Sequence, residues 1–158
     1  MTILGIDPGT SIIGYGAIKE NGNEITCLDY GVLKIEEKDQ AGKLLAIDGS
    51  INRLLKKVRP DFVVLEKLFF FKNHKTALSV AEARGVIILA LKKNRIDFTE
   101  LTPLELKRYL AGYGRASKEG IQKMLKLVLN LEKEPSPDDA ADALALALLG
   151  RGAKRGLT

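Results

Sequence analysis

The chain has one cysteine, Cys27, one histidine, His74, and no tryptophan. A single thiol cannot form an internal disulfide and fits a reducing compartment. A single imidazole excludes a multi-histidine zinc site, so any metal has to be held mainly by oxygen. No apolar run, Val86–Leu91 included, approaches the roughly 20 residues that a bilayer requires, and the N-terminus carries no basic segment followed by an apolar one. A cytosolic protein without a membrane segment is expected. Glycine and proline are scattered, and 46% hydrophobic with 28% charged residues is the balance of a folded domain rather than a disordered chain. At 158 residues there is material for one sizeable core and too little for two. Lys and Arg outnumber Asp and Glu by 25 to 20, giving +5, which admits a polyanionic partner without identifying one.

Thr2–Asp7, Ser11–Lys19 and Glu24–Ile35 are short runs rich in β-branched and apolar residues, separated by Asp-Pro-Gly-Thr and Glu-Asn-Gly-Asn turns. They predict three antiparallel strands. From Gln40 to Val58, Leu44, Ile47, Ile51, Leu54, Leu55 and Val58 recur at helical spacing until Pro60 ends the pattern. Asp61–Glu66 has the composition of a strand buried on both faces, and a long helix is predicted over Asn73–Asn94. Within that helix Val86–Leu91 is apolar all round, so one face can cover the sheet while the other still needs cover, as a dimer partner would provide. Ile96–Leu101 reads as a last strand, followed by helices over Pro103–Leu110, Lys118–Leu131 and Pro137–Leu149. The expected fold is α/β: a mixed five-stranded sheet, three antiparallel strands then parallel additions, flanked by helices. Residues 1–150 form one domain in this reading, and Arg151–Thr158 a basic, disordered tail.

Asp7 ends an apolar strand, where an isolated carboxylate is costly to desolvate. It could equally start the Asp-Pro-Gly turn by accepting local N–H groups. Glu66 stands at the carboxyl end of another apolar strand, where α/β folds tend to place ligands, although a satisfied strand-end acid explains it as well. Ser136-Pro137-Asp138-Asp139 has the form of a helix start with Ser136 as N-cap, and Asp138 and Asp139 could merely favour the N-terminal dipole. Asp142 lies beyond the first turn, on the face of Asp139, among Ala140, Ala141, Ala143 and Ala145. Small residues let a helix approach a sheet closely. If this one docks on the strands, four carboxylates converge, and they repel one another unless cations lie between them. Hard divalent ions suit such oxygen ligands, and a pair of them could activate water and stabilise the leaving oxygen in phosphodiester cleavage.

Ile3-Leu-Gly-Ile-Asp-Pro-Gly-Thr10 with Gly14-Tyr-Gly16, Leu65-Glu66 with Phe69, Lys72-Asn73, Ala83-Arg-Gly-Val86 and Pro137-Asp-Asp-Ala-Ala-Asp-Ala-Leu-Ala145 together resemble the RuvC Holliday-junction resolvases, in order from residue 2 to about 149. The resemblance implies an RNase H-like fold and a homodimer that resolves four-way DNA junctions by paired symmetric nicks, in recombination and repair. It also implies two Mg²⁺ per subunit, with Mn²⁺ as a substitute, and a branch-migration motor, RuvA and RuvB, as partner. Matched residue by residue, the acidic ligands fall on Asp7, Glu66, Asp139 and Asp142, the basic residues near the cleaved strand on Lys107 and Lys118, and the base-stacking aromatic on Phe69. The chain departs from the pattern in an additional acid, Asp138, and in one more residue between Lys118 and the acidic pair, so that Asp138 stays open as a substitute for Asp139.

Phe69-Phe70-Phe71 lies between Lys67 and Lys72, where exposed rings could stack on unpaired bases. About two of the three are expected to pack into the core or against a partner, which leaves the parts of Phe70 and Phe71 undivided. Lys107, Arg108, Arg115 and Lys118 flank Gly112-Tyr-Gly114, a segment suited to phosphates, although exposed helix lysines usually mean only solubility. The opening motif is also similar to the phosphate loop of actin-like ATPases, which need two such domains. Other readings are an RNase H-like nuclease of the YqgF type acting on RNA, which shares the first motif, and a catalytically inactive junction-binding module.

Overall fold

A computed structural model describes residues 1–67, 74–111 and 117–155. Three strands, β1 (Thr2–Asp7), β2 (Ile12–Asn21) and β3 (Glu24–Lys34), form an antiparallel meander, and its second turn is a two-residue loop in which Gly22 takes φ +60°. Helix α1 (Gln40–Val58) then crosses over to β4 (Phe62–Glu66), parallel to β1, and α2 (His74–Lys93) crosses over to β5 (Phe98–Leu101), parallel to β4. The sheet order is β3-β2-β1-β4-β5. This is the mixed sheet that the run of turn signals and helical periods predicts. Three helices complete the chain, α3 (Pro103–Ala111), α4 (Lys118–Val128) and α5 (Asp138–Arg155).

Helix ends follow local chemistry. Asp39 accepts from Gly42 N–H at the start of α1, Ser117 accepts from Gly120 N–H at the start of α4, and Thr102 and Glu105 cap α3 reciprocally. Two expected boundaries move because the chain leaves its helices through left-handed residues. Arg95 takes φ +57° and Ile96 N–H returns to the Leu91 carbonyl at 3.0 Å, so Ile96 closes α2 and the strand starts only at Phe98. Asn130 takes φ +49° and Leu131 N–H returns to Lys126, which ends α4 at Val128 rather than Leu131.

Each strand divides its side chains between two faces. Leu4, Ile6, Val63 and Leu65 pack under α1 and α2 with Ile47, Ile51, Ile87 and Leu91, whereas Ile3, Phe62 and Val64 pack under α5 with Leu144, Ala145 and Leu125. Two further expectations are corrected. The last helix opens at Asp138 with the Pro137 carbonyl accepting from Ala141, so Pro137 and not Ser136 holds the capping position. Residues 151–155, expected within a disordered tail, continue α5, because Arg151 reaches back to the buried Glu20 at 2.9 Å.

Candidate active site

Strand alternation aims the two strand-end acids. Ile3 and Gly5 face α5, so Asp7, two residues on, does too; Phe62 and Val64 face α5, and so does Glu66. Because β1 and β4 are adjacent and parallel, Asp7 and Glu66 emerge side by side at the carboxyl edge of the sheet.

Glycines let the last helix down onto that edge. Gly14 is the register partner of Asp7, and a Cβ added to it would run into the Asp139 carbonyl. At Gly16 a Cβ would strike Leu144, and at Gly5 the carbonyl of Ala143. Helix α5 therefore lies against bare backbone, meeting these glycines with Asp139, Ala143, Leu144 and Ala147, the last three fully buried. This brings Asp139 over the partner of Asp7, with Asp142 one turn further along. The reason for Gly14-Tyr-Gly16 was not legible from the motif alone. The signal that could have found it was small residues on two surfaces at once.

The electrostatics show that these acids share one site. Burial, the Glu66 charge, a hydrogen bond to Glu66, and then the charges of Asp142 and Asp139 push the Asp7 carboxyl up to about 9. Asp142 is pushed up to about 6 by burial first and by Glu66 next, against the opposing pull of Lys118. Among the described residues no three acidic, histidine or cysteine side chains are gathered as tightly as ligands of one ion. The donor set is all oxygen and half-buried, and it fits a hard divalent cation, whose charge would offset the burial and repulsion that push Asp7 and Asp142 up.

Asp138 points elsewhere. Its carboxylate accepts from Lys118 Nζ at 2.7 Å and from Gln122 Nε2 at 3.3 Å, both on α4, while Asp139 bears on Asp7. Of the two adjacent acids, Asp139 faces the site and Asp138 its rim. Lys118 stands at that rim within electrostatic reach of Asp142 and Asp139. Lys107 rides on α3, but its side chain lies outside the described residues, as do Phe69, Phe70 and Phe71. An ion pair that sequence reasoning did not find joins Arg84 of α2 to Glu100 of β5, whose register partner Leu65 precedes Glu66.

The family model for the crossover junction endodeoxyribonuclease RuvC matches residues 3–149. The crossover junction endodeoxyribonuclease RuvC of Petrotoga mobilis is 52% identical over 148 residues, 93% of this chain and 91% of that one. A Thermus thermophilus RuvC structure superposes with a TM-score of 0.87 at 30% identity, covering 100% of this chain and 98% of the other. The T. thermophilus RuvC in complex with Holliday junction substrate gives 0.86 at 27% identity, covering 99% and 96%. On the family match and the identity across nearly its whole length, the chain belongs to the crossover junction endodeoxyribonuclease RuvC family.

Proposed function

We propose that this crossover junction endonuclease resolves four-way DNA junctions by paired symmetric nicks, one from each subunit of a homodimer, at a site in which Asp7, Glu66, Asp139 and Asp142 hold two Mg²⁺, or Mn²⁺ in their place. The observation that carries the reading is the placement of Asp7 and Glu66 side by side at the carboxyl ends of adjacent parallel strands, with Gly14, the register partner of Asp7, seated against Asp139 of α5. Divalent ions bound there supply Lewis acidity at the phosphate and a more acidic attacking water. The protein's own part is to hold carboxylate oxygens in place on three rigid elements, β1, β4 and α5, at the mouth of the sheet.

Lys118, paired with Asp138 and with 72% of its side chain exposed at the rim, keeps N–H donors for a phosphate that enters the site, where a cation favours the accumulating negative charge. Lys107 is assigned the same task and Phe69 the stacking on bases unpaired at the crossover, both from the family resemblance. RuvA and RuvB are assigned from the same resemblance as the motor that delivers the junction. Support for the homodimer comes from α2, where Leu78 and Leu89 are 74% and 51% exposed on either side of Gly85, and a Cβ on Gly85 would meet nothing within 4 Å. Residues 1–150 work as one nuclease domain in this reading, in the cytosol; among the described residues no helix is long and apolar enough to cross a membrane.

The test is cleavage of a synthetic four-way junction with Mg²⁺ against EDTA. Two symmetric nicks that require the metal are expected. Cleavage of RNA instead, or binding without cleavage, would replace the reading with a YqgF-type nuclease or an inactive junction-binding module.

A further inference from the structure

The additional acid of this chain has an occupation of its own. Both oxygens of Asp138 are engaged by α4: Oδ2 by Lys118 Nζ at 2.7 Å and Oδ1 by Gln122 Nε2 at 3.3 Å, donors one helical turn apart. Each oxygen already accepts from α4, and the charge of Asp138 bears on Asp142, the neighbour nearer the rim, but not on Asp7. The contact joins the first turns of two helices, α4 directly after the 112–116 segment and α5 directly before the acids of the site. With side chains 72% and 52% exposed, the pair adds little to stability, because solvent screens it and two side chains lose freedom to make it. Its effect is on position. A free lysine samples many rotamers, whereas this ammonium is held by Asp138 within electrostatic reach of Asp142 and Asp139.

We propose that Asp138 is a positioning residue and not a metal ligand: it anchors Lys118 at the rim of the carboxylate site so that the ammonium meets the scissile phosphate already in place. This rests on the reading of Lys118 as a phosphate-facing group. The Asp138 carboxylate need not leave when DNA binds, since an ammonium has three N–H donors and can give one to Asp138 and another to a phosphate oxygen.

The experiment is single-turnover cleavage of a synthetic four-way junction by the full chain, for wild type, Asp138→Ala, Asp138→Glu, Lys118→Ala and the double Ala variant. Mg²⁺ is titrated in each case, and junction affinity is measured separately in Ca²⁺. Misplacing a reacting partner by a fraction of an ångström to an ångström costs on the order of tenfold to a hundredfold, so Asp138→Ala should cleave about tenfold more slowly. Its half-saturating Mg²⁺ and its junction affinity should stay at wild-type values, and Asp138→Glu should recover most of the rate. In the Lys118→Ala background, Asp138→Ala should add nothing, because its effect passes through a lysine that is gone. A large rise in half-saturating Mg²⁺ for Asp138→Ala would make Asp138 a ligand and overturn the proposal. So would an unchanged or faster rate, or losses that multiply in the double variant. Wild-type cleavage by Lys118→Ala would instead remove the reading of Lys118 beneath it.

Discussion

Asp7 is held against its own solvation. It ends an apolar strand, it is half-buried, and the charged neighbours that bear on it share its sign. An acid whose folded pKa lies above its unfolded value weakens the fold wherever the unfolded chain has released the proton and the folded chain has not. For Asp7 the penalty is absent below about pH 4, grows as pH rises, and is complete near its folded value of about 9. Asp7→Asn should therefore make the metal-free protein more stable and flatten the fall in melting temperature between pH 5 and pH 9, while abolishing cleavage. Mg²⁺ should raise the melting temperature of the wild type and do so much less for Asp7→Asn. A variant that melts no later than wild type at pH 8 without metal would count against the repulsion inferred at this site. Asp142→Asn separates chemistry from binding. Removing one charge of the proposed ligand set should abolish cleavage of a junction in Mg²⁺ and leave junction affinity nearly unchanged, because phosphate contacts are spread over a wide surface. Normal turnover by that variant would remove Asp142 from the metal site.

At the scale of elements, the site depends on how closely α5 lies on β1 and β2. A methyl group at Gly14 would meet backbone, the Asp139 carbonyl, which cannot rotate away as a flexible side chain could. Gly14→Ala should cost towards the upper end of the about 1–3 kcal/mol typical of overpacking. For a domain of this size that is a fall in melting temperature of about 10 °C. Cleavage should fall further than stability accounts for, because the displaced residue, Asp139, is one of the four proposed ligands. Gly22→Ala, in the hairpin loop where nothing lies within 4 Å, should leave cleavage untouched even though its φ of +60° makes the backbone less comfortable. Equal loss of cleavage in the two variants would show that helix seating is not what matters at Gly14. The strands and helices themselves were legible from periodicity, and α1 runs over Gln40–Val58 as its apolar spacing and the stop at Pro60 require. What was not legible needed partners distant in the chain. The extension of α5 past Leu149 depends on Glu20, 131 residues away from Arg151. The choice between Asp138 and Asp139 depends on a rotation of about 100° between neighbours on a helix, which has meaning only once the flanking elements, β2 and α4, are known.

For the whole molecule, the decisive matter is the outer face of the α1–α2 layer. The sheet is covered on one side by α5 with α3 and α4, and on the other by α1 and α2, so both sheet faces are satisfied within one chain. The cover itself is not. Leu78, Gly85 and Leu89 follow one another along a single face of α2 at spacings of seven and four residues, and Leu45 of α1 is 76% exposed. An isologous pairing across a two-fold axis would bury this stripe against its own copy, with Gly85 giving room for close approach, and would present two carboxylate sites related by the same axis to a junction with two-fold symmetry of its own. Leu89→Asp should then shift the protein from dimer to monomer in sedimentation without lowering metal affinity, since the stripe is on the face of the layer turned away from the acids. Its products on a four-way junction should change in kind. Wild type should release two nicked duplexes from paired cuts, whereas the monomer should leave junctions nicked in a single strand, because no second site is held in place to cut the opposing strand within the lifetime of the complex. If the wild-type chain sediments as a monomer at micromolar concentration, both alone and on a junction, the stripe has another occupant and the symmetry of cutting has another origin.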